Sequence, residues 1–384
     1  MLQSNERFRI TYRLTCEPAE DPYAKARDLA LEQTVEVPAE VLPPAIAELV
    51  VGRVEVVEPV EEGGAAEGGA STWRAVIAYE AEVTVGDDVT QFVNLLFGNA
   101  SLKAGILVED ADIPATLLMR CGGPRFGIPG VRGLCGVEDA RPLLCAAAKP
   151  LGLSPADLAN ICYAFAAGGV DIVKDDHGLA DQAPAPFAER VPRCQEAVAR
   201  ANADTGGRTL YFPHVSAGAN LDAQLELARA AGCRGIVVSP LLVGWETTRR
   251  LAEESGLVIF AHPALAGAFF HPTHGIRPDV LLGRLFRTVG CDGVIYPNVG
   301  GRFTFSLEDC EAINRRLREP YGVLRPAFPV AAGGIAADRV PEWLDRYGPD
   351  TVFLLGSSLY RQRDLRGAAA RLVEAVRRRT TVER

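Results

Sequence analysis

The chain has no run of about 18 apolar residues, so nothing in it reads as a membrane-spanning helix. It has no C-x-x-C pair: its nine cysteines, at 16, 121, 135, 145, 162, 194, 233, 291 and 310, are widely and irregularly spaced among apolar neighbours. That excludes a zinc ribbon or a disulfide framework and fits buried, reduced thiols. It has no basic surplus. A net charge of −9 with scattered Lys and Arg argues against nucleic acid or an anionic membrane as the main partner. The N-terminal residues Met1–Arg9 lack an apolar segment of the secretory kind, and a cytoplasmic location is expected. Histidine is scarce, with five in 384 residues. What is plentiful is ordinary core material, 48% of the chain, enough for two domains.

The first part reads as mixed α+β. Strands are expected at Phe8–Thr15, Leu49–Val57, Trp73–Val85 and Phe92–Phe97, and a helix at Asp21–Gln33. The Gly-rich run from Glu61 to Ala70 reads as a loop, and Gly122–Gly136 as a link. From Leu143 the pattern changes. Eight short apolar runs (Leu143–Lys149, Val170–Lys174, Thr209–His214, Gly235–Pro240, Leu257–His262, Gly293–Pro297, Phe328–Gly333 and Thr351–Gly356) alternate with amphipathic helical stretches. Strands apolar throughout are buried on both faces, as parallel strands under helices are. Eight βα units predict a (β/α)8 TIM barrel, with an open doubly wound sheet as the alternative. The division is 1–125 for an α+β domain and 126–384 for the barrel.

In such barrels chemistry gathers at the C-terminal ends of the strands. All five histidines are expected there: His177, His214, His262, His271 and His274. Lys174-Asp175-Asp176-His177 ends the second run, and Asp176 and His177 suit a metal. A lysine joins such a site only if its charge is removed, for example by carbamylation. Gly333, Gly334, Gly356 and Ser357 end the last two runs, where barrels of this kind often bind phosphate. Lys149 ends the first run and suits a proton-moving base. Arg302, in a Gly-rich loop after the sixth run, suits an anion.

These residues resemble a family. Gly168-Gly-Val-Asp-Ile-Val-Lys-Asp-Asp-His177 is similar to the RuBisCO segment G-G-x-D-x-x-K-D-D-E. Arg141-Pro-Leu-Leu followed by Lys149-Pro150 and Leu-Gly-Leu-Ser154 resembles R-P-L-L…K-P-K-L-G-L-S. Phe97-Gly-Asn99 with Leu107–Pro114, and Pro329–Ile335, match further family motifs. The likeness runs over nearly the whole chain and implies a RuBisCO large-subunit-like fold. It implies that Lys174 is carbamylated to hold Mg2+ with Asp176 and the residue at 177. It implies that Lys149 handles the proton at enolisation and that His262 lies near substrate hydroxyls. Gly334, Gly356 and Ser357 would cradle one phosphate. Glu32 and Asn99 would reach the site of a neighbouring subunit, which implies a homodimer with shared sites.

The departures point away from carboxylation. The metal glutamate is His177, the second lysine of K-P-K is missing, the arginine after the strand-five histidine is Pro263, the strand-six histidine is Ile295, and the serine of A-S-G-G is Ala332. A second phosphate dianion would lack cationic donors. Glu32-Gln33-Thr34-Val35-Glu36 resembles form IV, the RuBisCO-like proteins. The expectation is enediolate chemistry on a sugar or sugar-acid monophosphate, first as decarboxylation or C–C hydrolysis of a 3-keto sugar acid phosphate. The alternatives are isomerisation or enolisation of a methylthioribulose phosphate and, outside enzymes, a sensor or binding protein. His214 is expected among the substrate-binding residues.

Overall fold

The structure is a computed structural model that describes residues 6–60, 69–216, 220–336 and 339–382. The chain forms two compact units, 1–121 with 265–281, and 122–264 with 282–384. The segment 265–281 therefore leaves the barrel, an excursion that the division at 125/126 does not anticipate.

The first unit carries strands β1 (Arg7–Cys16), β2 (Arg53–Pro59), β3 (Ser71–Glu80) and β4 (Ile106–Ala111). In β1 the alternation of Phe8, Ile10, Tyr12, Leu14 and Cys16 buries one face, as a period of two requires. A helix spans Pro22–Glu32, with Asp21 capping it through Tyr23 N. The expected strand at Phe92–Phe97 is instead part of a helix, Val89–Phe97. Asp88 caps that helix by accepting from Thr90 N and Gln91 N, and Phe92, Leu95 and Leu96 then share a buried face at helical spacing. The expected strand at Trp73–Val85 ends at Glu80 and turns into a short helix, Ala81–Thr84. The one expected at Leu49–Val57 begins only at Arg53, after a helix Pro44–Leu49. Most of the Gly-rich run, 61–68, lies outside the described residues.

The second unit holds β5 (Leu143–Ala148), β6 (Ile172–Asp175), β7 (Leu210–Phe212), β8 (Gly235–Val238) and β9 (Val258–Ala261). After the excursion, which forms β10 (Phe270–His271) and β11 (His274–Ile276), come β12 (Gly293–Pro297), β13 (Phe328–Ala332) and β14 (Val352–Leu355). The parallel order is β7-β6-β5-β14-β13-β12-β9-β8. A bridge between His214 and Val237, with Val215 N donating to Val237 O at 2.9 Å, joins its two ends, so the sheet closes into a barrel. All eight expected strands are present. β11 instead pairs with β4, so the sheet of the first unit runs β10-β11-β4-β1-β3-β2.

Residues of one parity fill the barrel: Leu143, Cys145 and Ala147, Ile172, Phe212, Val237, Val258 and Phe260, Ile295, Phe328 and Val330, Val352 and Leu354. Gly235 and Gly293 make room for this layer. A Cβ there would lie 2.4 Å from the Phe212 ring and 2.5 Å from the Phe260 ring. The expected link 122–136 contains a helix, Gly127–Cys135, whose Ile128, Val131 and Cys135 pack into the same core. All nine cysteines are buried and unbridged. No helix among the described residues is long and apolar enough to cross a membrane.

Candidate active site

The inward parity of each strand, continued past its C-terminal end, brings the polar residues together. Lys149 follows Cys145 and Ala147. Lys174 and Asp176 follow Ile172, His214 follows Phe212, His262 follows Phe260, and Gly356 follows Leu354.

Lys174, Asp175 and Asp176 consequently have different surroundings. Asp175 has the opposite parity and is fully buried. Its carboxylate accepts from Arg190 Nε at 3.2 Å, Tyr211 OH at 2.7 Å and His214 N at 3.2 Å. Burial raises its pKa against the pull of Arg190. It fixes the end of β6 to the helix Phe187–Thr205 rather than serving the rim. Asp176 lies on the rim, 4.0 Å from Lys149 Nζ and 3.7 Å from His177 Nδ1. Burial works against its ionisation, but the bond to His177 and the charges of Lys174 and Lys149 outweigh it, and the carboxyl sits well below its usual range.

His177 stacks on His262, with ring centroids 4.0 Å apart and planes 9° from parallel. Burial depresses His262 to about 2, and its Nδ1 is buried without a partner among the described residues. His214 is 3% exposed, and burial lowers it to about 4. Both imidazoles are neutral at pH 7.

Around the ring, β13, β14 and β5 are neighbours. Gly333 and Gly334 have φ of +75° and +65°. A Cβ on Gly334 would lie 2.7 Å from Gly301 N, so the turn after β13 packs on the loop that carries Arg302, and only glycine permits the approach. Arg302 itself is exposed, its guanidinium 5.8 Å from the Phe303 ring centre. A Cβ on Gly356 would lie 3.1 Å from Lys149 Nζ, which puts that amine against the backbone where β14 ends. Ser357 opens the short helix Ser357–Tyr360.

Glu32 and Asn99 meet in the first unit. Asn99 Nδ2 donates to Glu32 Oε1 at 3.0 Å, and Lys103 Nζ lies 3.0 Å from Glu32 Oε2. Hydrogen bonds from Lys103 and Asn99 hold this carboxyl below its ordinary range. His271 and His274 also belong to the first unit, in the β10–β11 hairpin. Of the five histidines expected at the rim, His177, His214 and His262 belong to the barrel unit.

Three rim residues escape a reading by motif. Tyr360 OH accepts from Lys149 N at 3.0 Å and donates to Ala147 O at 2.9 Å, which braces the end of β5. Ser358 Oγ and Asn298 Nδ2 are buried without partners among the described residues. Only Asn298 has a signal in sequence, as the polar residue directly after an apolar strand. Ile295, at the place of the strand-six histidine, lies in the barrel core.

Asp176 and His177 offer a metal one oxygen and one nitrogen donor. Lys174 Nζ donates to Asp175 O at 2.7 Å and, as an ammonium, has no lone pair to give. No three His, Cys, Asp or Glu side chains converge on a metal position among the described residues. The donor set fits a cation once Lys174 is carbamylated. Burial lowers the pKa of Lys174, which favours the free amine that reacts with CO2.

Comparison with known proteins agrees with this architecture. Residues 136–371 match the family model of the ribulose bisphosphate carboxylase large chain, catalytic domain. "Ribulose bisphosphate carboxylase-like protein 1" of Rhodopseudomonas palustris is 40% identical over 93% of this chain and 94% of its own. "5-methylthioribulose-1-phosphate isomerase" of Rhodospirillum rubrum is 40% identical over 94% of this chain and 93% of its own. The crystal structure of a RuBisCO-like protein from Rhodopseudomonas palustris superposes with a TM-score of 0.86 at 41% identity, covering 97% of this chain and 98% of that one. The chain belongs to the ribulose bisphosphate carboxylase large-chain family, among its RuBisCO-like proteins.

Proposed function

We propose that this protein moves a proton on a ketose monophosphate through an enediolate, as an isomerase or enolase. The observation that carries the reading is the position of Lys149. Its amine lies 3.1 Å from where a Cβ on Gly356 would stand and 4.0 Å from Asp176. A phosphoryl group held by the bare backbone at Gly333, Gly334, Gly356 and Ser357, with Arg302 nearby, would leave the adjacent carbons beside that amine. Lys149 would then take a proton from the carbon next to the carbonyl and return one to a different carbon. Asp176, ionised, would stabilise the ammonium that Lys149 becomes on taking the proton. His262 and His177 form the wall facing the substrate hydroxyls.

Mg2+ would be held by Asp176, His177 and carbamylated Lys174, and when bound it would polarise the substrate carbonyl. Glu32 and Asn99, already paired, would complete the site of a second copy in a homodimer.

Of the outcomes expected from the sequence, proton relocation is favoured over decarboxylation, since a relative with 40% identity bears an isomerase name. The test is to incubate the protein, with CO2 and Mg2+, with 5-methylthioribulose 1-phosphate, a 3-keto sugar acid phosphate, or ribulose 1,5-bisphosphate, following products by 31P NMR. Conversion of the first without loss of CO2 is expected. Turnover of the bisphosphate, or activity that persists in Lys149→Ala and Asp176→Ala, would overturn the reading.

A further inference from the structure

His214 has a hydrogen-bonding state that its surroundings dictate. Its Nδ1 lies 3.1 Å from Leu179 O. A carbonyl oxygen only accepts, so Nδ1 must carry the proton. The proton count of a neutral imidazole then leaves Nε2 as a bare lone pair. That nitrogen is buried and meets no partner among the described residues, and the residue is 3% exposed at the end of β7. The ring is held by Nδ1 on Leu179 O, and the main chain by His214 N donating to Asp175 Oδ2 at 3.2 Å and by the bridge to Val237. A buried acceptor without a donor is unfavourable, and a bound donor would relieve it.

We propose that His214 Nε2 is a specificity-determining acceptor for a substrate hydroxyl. The inference rests on the reading of the rim as a sugar monophosphate site and adds which end of the substrate lies where. A phosphate dianion has no proton to offer, so a second phosphoryl group at this wall would meet a lone pair rather than a donor. A metal ion would need companions, and no three-donor group includes His214 among the described residues. A hydroxyl satisfies the nitrogen alone. The rim is thereby divided: lysine and bare backbone at β13, β14 and β5 face the phosphate, and imidazole acceptors at β7 and β9 face the hydroxyl-bearing carbons.

The chain has five histidines, so a 15N-histidine-labelled sample shows only five imidazoles, and His214→Gln assigns the one concerned. In the unliganded protein at pH 7.5, His214 is expected with Nδ1 protonated and Nε2 bare. Adding 5-methylthioribulose 1-phosphate should shift the Nε2 signal as a hydrogen bond forms, and inorganic phosphate alone should not. His214→Phe should weaken binding of the sugar phosphate about tenfold and leave binding of inorganic phosphate unchanged. A proton on Nε2, an equal response to inorganic phosphate, or a response to Mg2+ or Zn2+ alone would overturn the assignment. The tautomer is read on the unaltered protein, so it decides even if the phenylalanine variant does not fold. If neither 5-methylthioribulose 1-phosphate nor other ketose monophosphates bind, the functional reading fails. If they bind and Nε2 stays unmoved, only this inference fails.

Discussion

At the N-terminal end of the barrel the buried carboxylates of Asp171 and Asp292 have every oxygen engaged, whereas at the C-terminal end His214, His262 and Ser358 carry buried polar atoms without a partner among the described residues. Asp171 takes both arms of Arg141, at 2.8 and 2.7 Å, and Leu144 N at 2.8 Å. Asp292 accepts from Phe126 N and Gly127 N, each at 2.8 Å, and from Ile259 N at 3.0 Å. These residues hold the start of the helix Gly127–Cys135 and the strand starts in place. A polar group left unsatisfied in the interior is a cost to folding. Such atoms beside a lysine and a carboxylate 4.0 Å apart fit a binding site before its ligand arrives.

The contrast can be broken by substitution at either end. The largest effect is expected at the rim. Lys149→Met should lower kcat by about a thousandfold or more, with the thermal unfolding midpoint close to that of the parent. A matching loss of stability would mean that Lys149 is structural. At the floor the outcome should reverse. Asp171→Asn removes the nearer, buried counter-charge of Arg141 and leaves it only Asp139, at 3.5 Å and half exposed, and should cost about 3 kcal/mol in urea unfolding, while kcat of the folded fraction is retained.

A pH series sharpens the contrast further. Burial holds His214 at about 4, against 6.5 for a free imidazole. The unfolded chain takes up a proton that the native fold refuses, so stability present above pH 6.5 is lost as the pH falls towards 4. Between pH 7 and pH 5 this residue should account for roughly 2 kcal/mol, and His214→Phe should flatten the pH dependence by that amount. The smallest effect is expected from Tyr360→Phe, which removes the hydroxyl that bridges Lys149 N and Ala147 O. A loss of about 1 kcal/mol and a modest fall in kcat at unchanged KM would fit a positioning role.

Much of this was legible in the chain because barrel strands, buried on both faces, announce themselves as short apolar runs. Each ends in a residue whose parity says whether it faces the axis. That rule picks out Lys149, Lys174, Asp176, His214 and His262 without any motif. It also separates Asp175 from Asp176, a distinction that charge alone does not make. Three things stayed hidden. The apolar run Phe92–Phe97 suits strand or helix equally, and the cap at Asp88 decides for helix. The excursion at 265–281 has no punctuation that marks it as part of another sheet, so His271 and His274 look like rim residues until β11 is seen to pair with β4. Tyr360 acts through one hydroxyl from a helix after the last strand, and no local pattern reports such a long-range bond.

The central claim is that Lys149 exchanges a proton with a carbon of a substrate held by one phosphate. The most direct measurement is 1H NMR of 5-methylthioribulose 1-phosphate in D2O with the protein. Deuterium should enter at the carbon beside the carbonyl with the parent chain and not with Lys149→Met. Exchange at the same rate in both, or bound substrate with no exchange in either, would contradict the account.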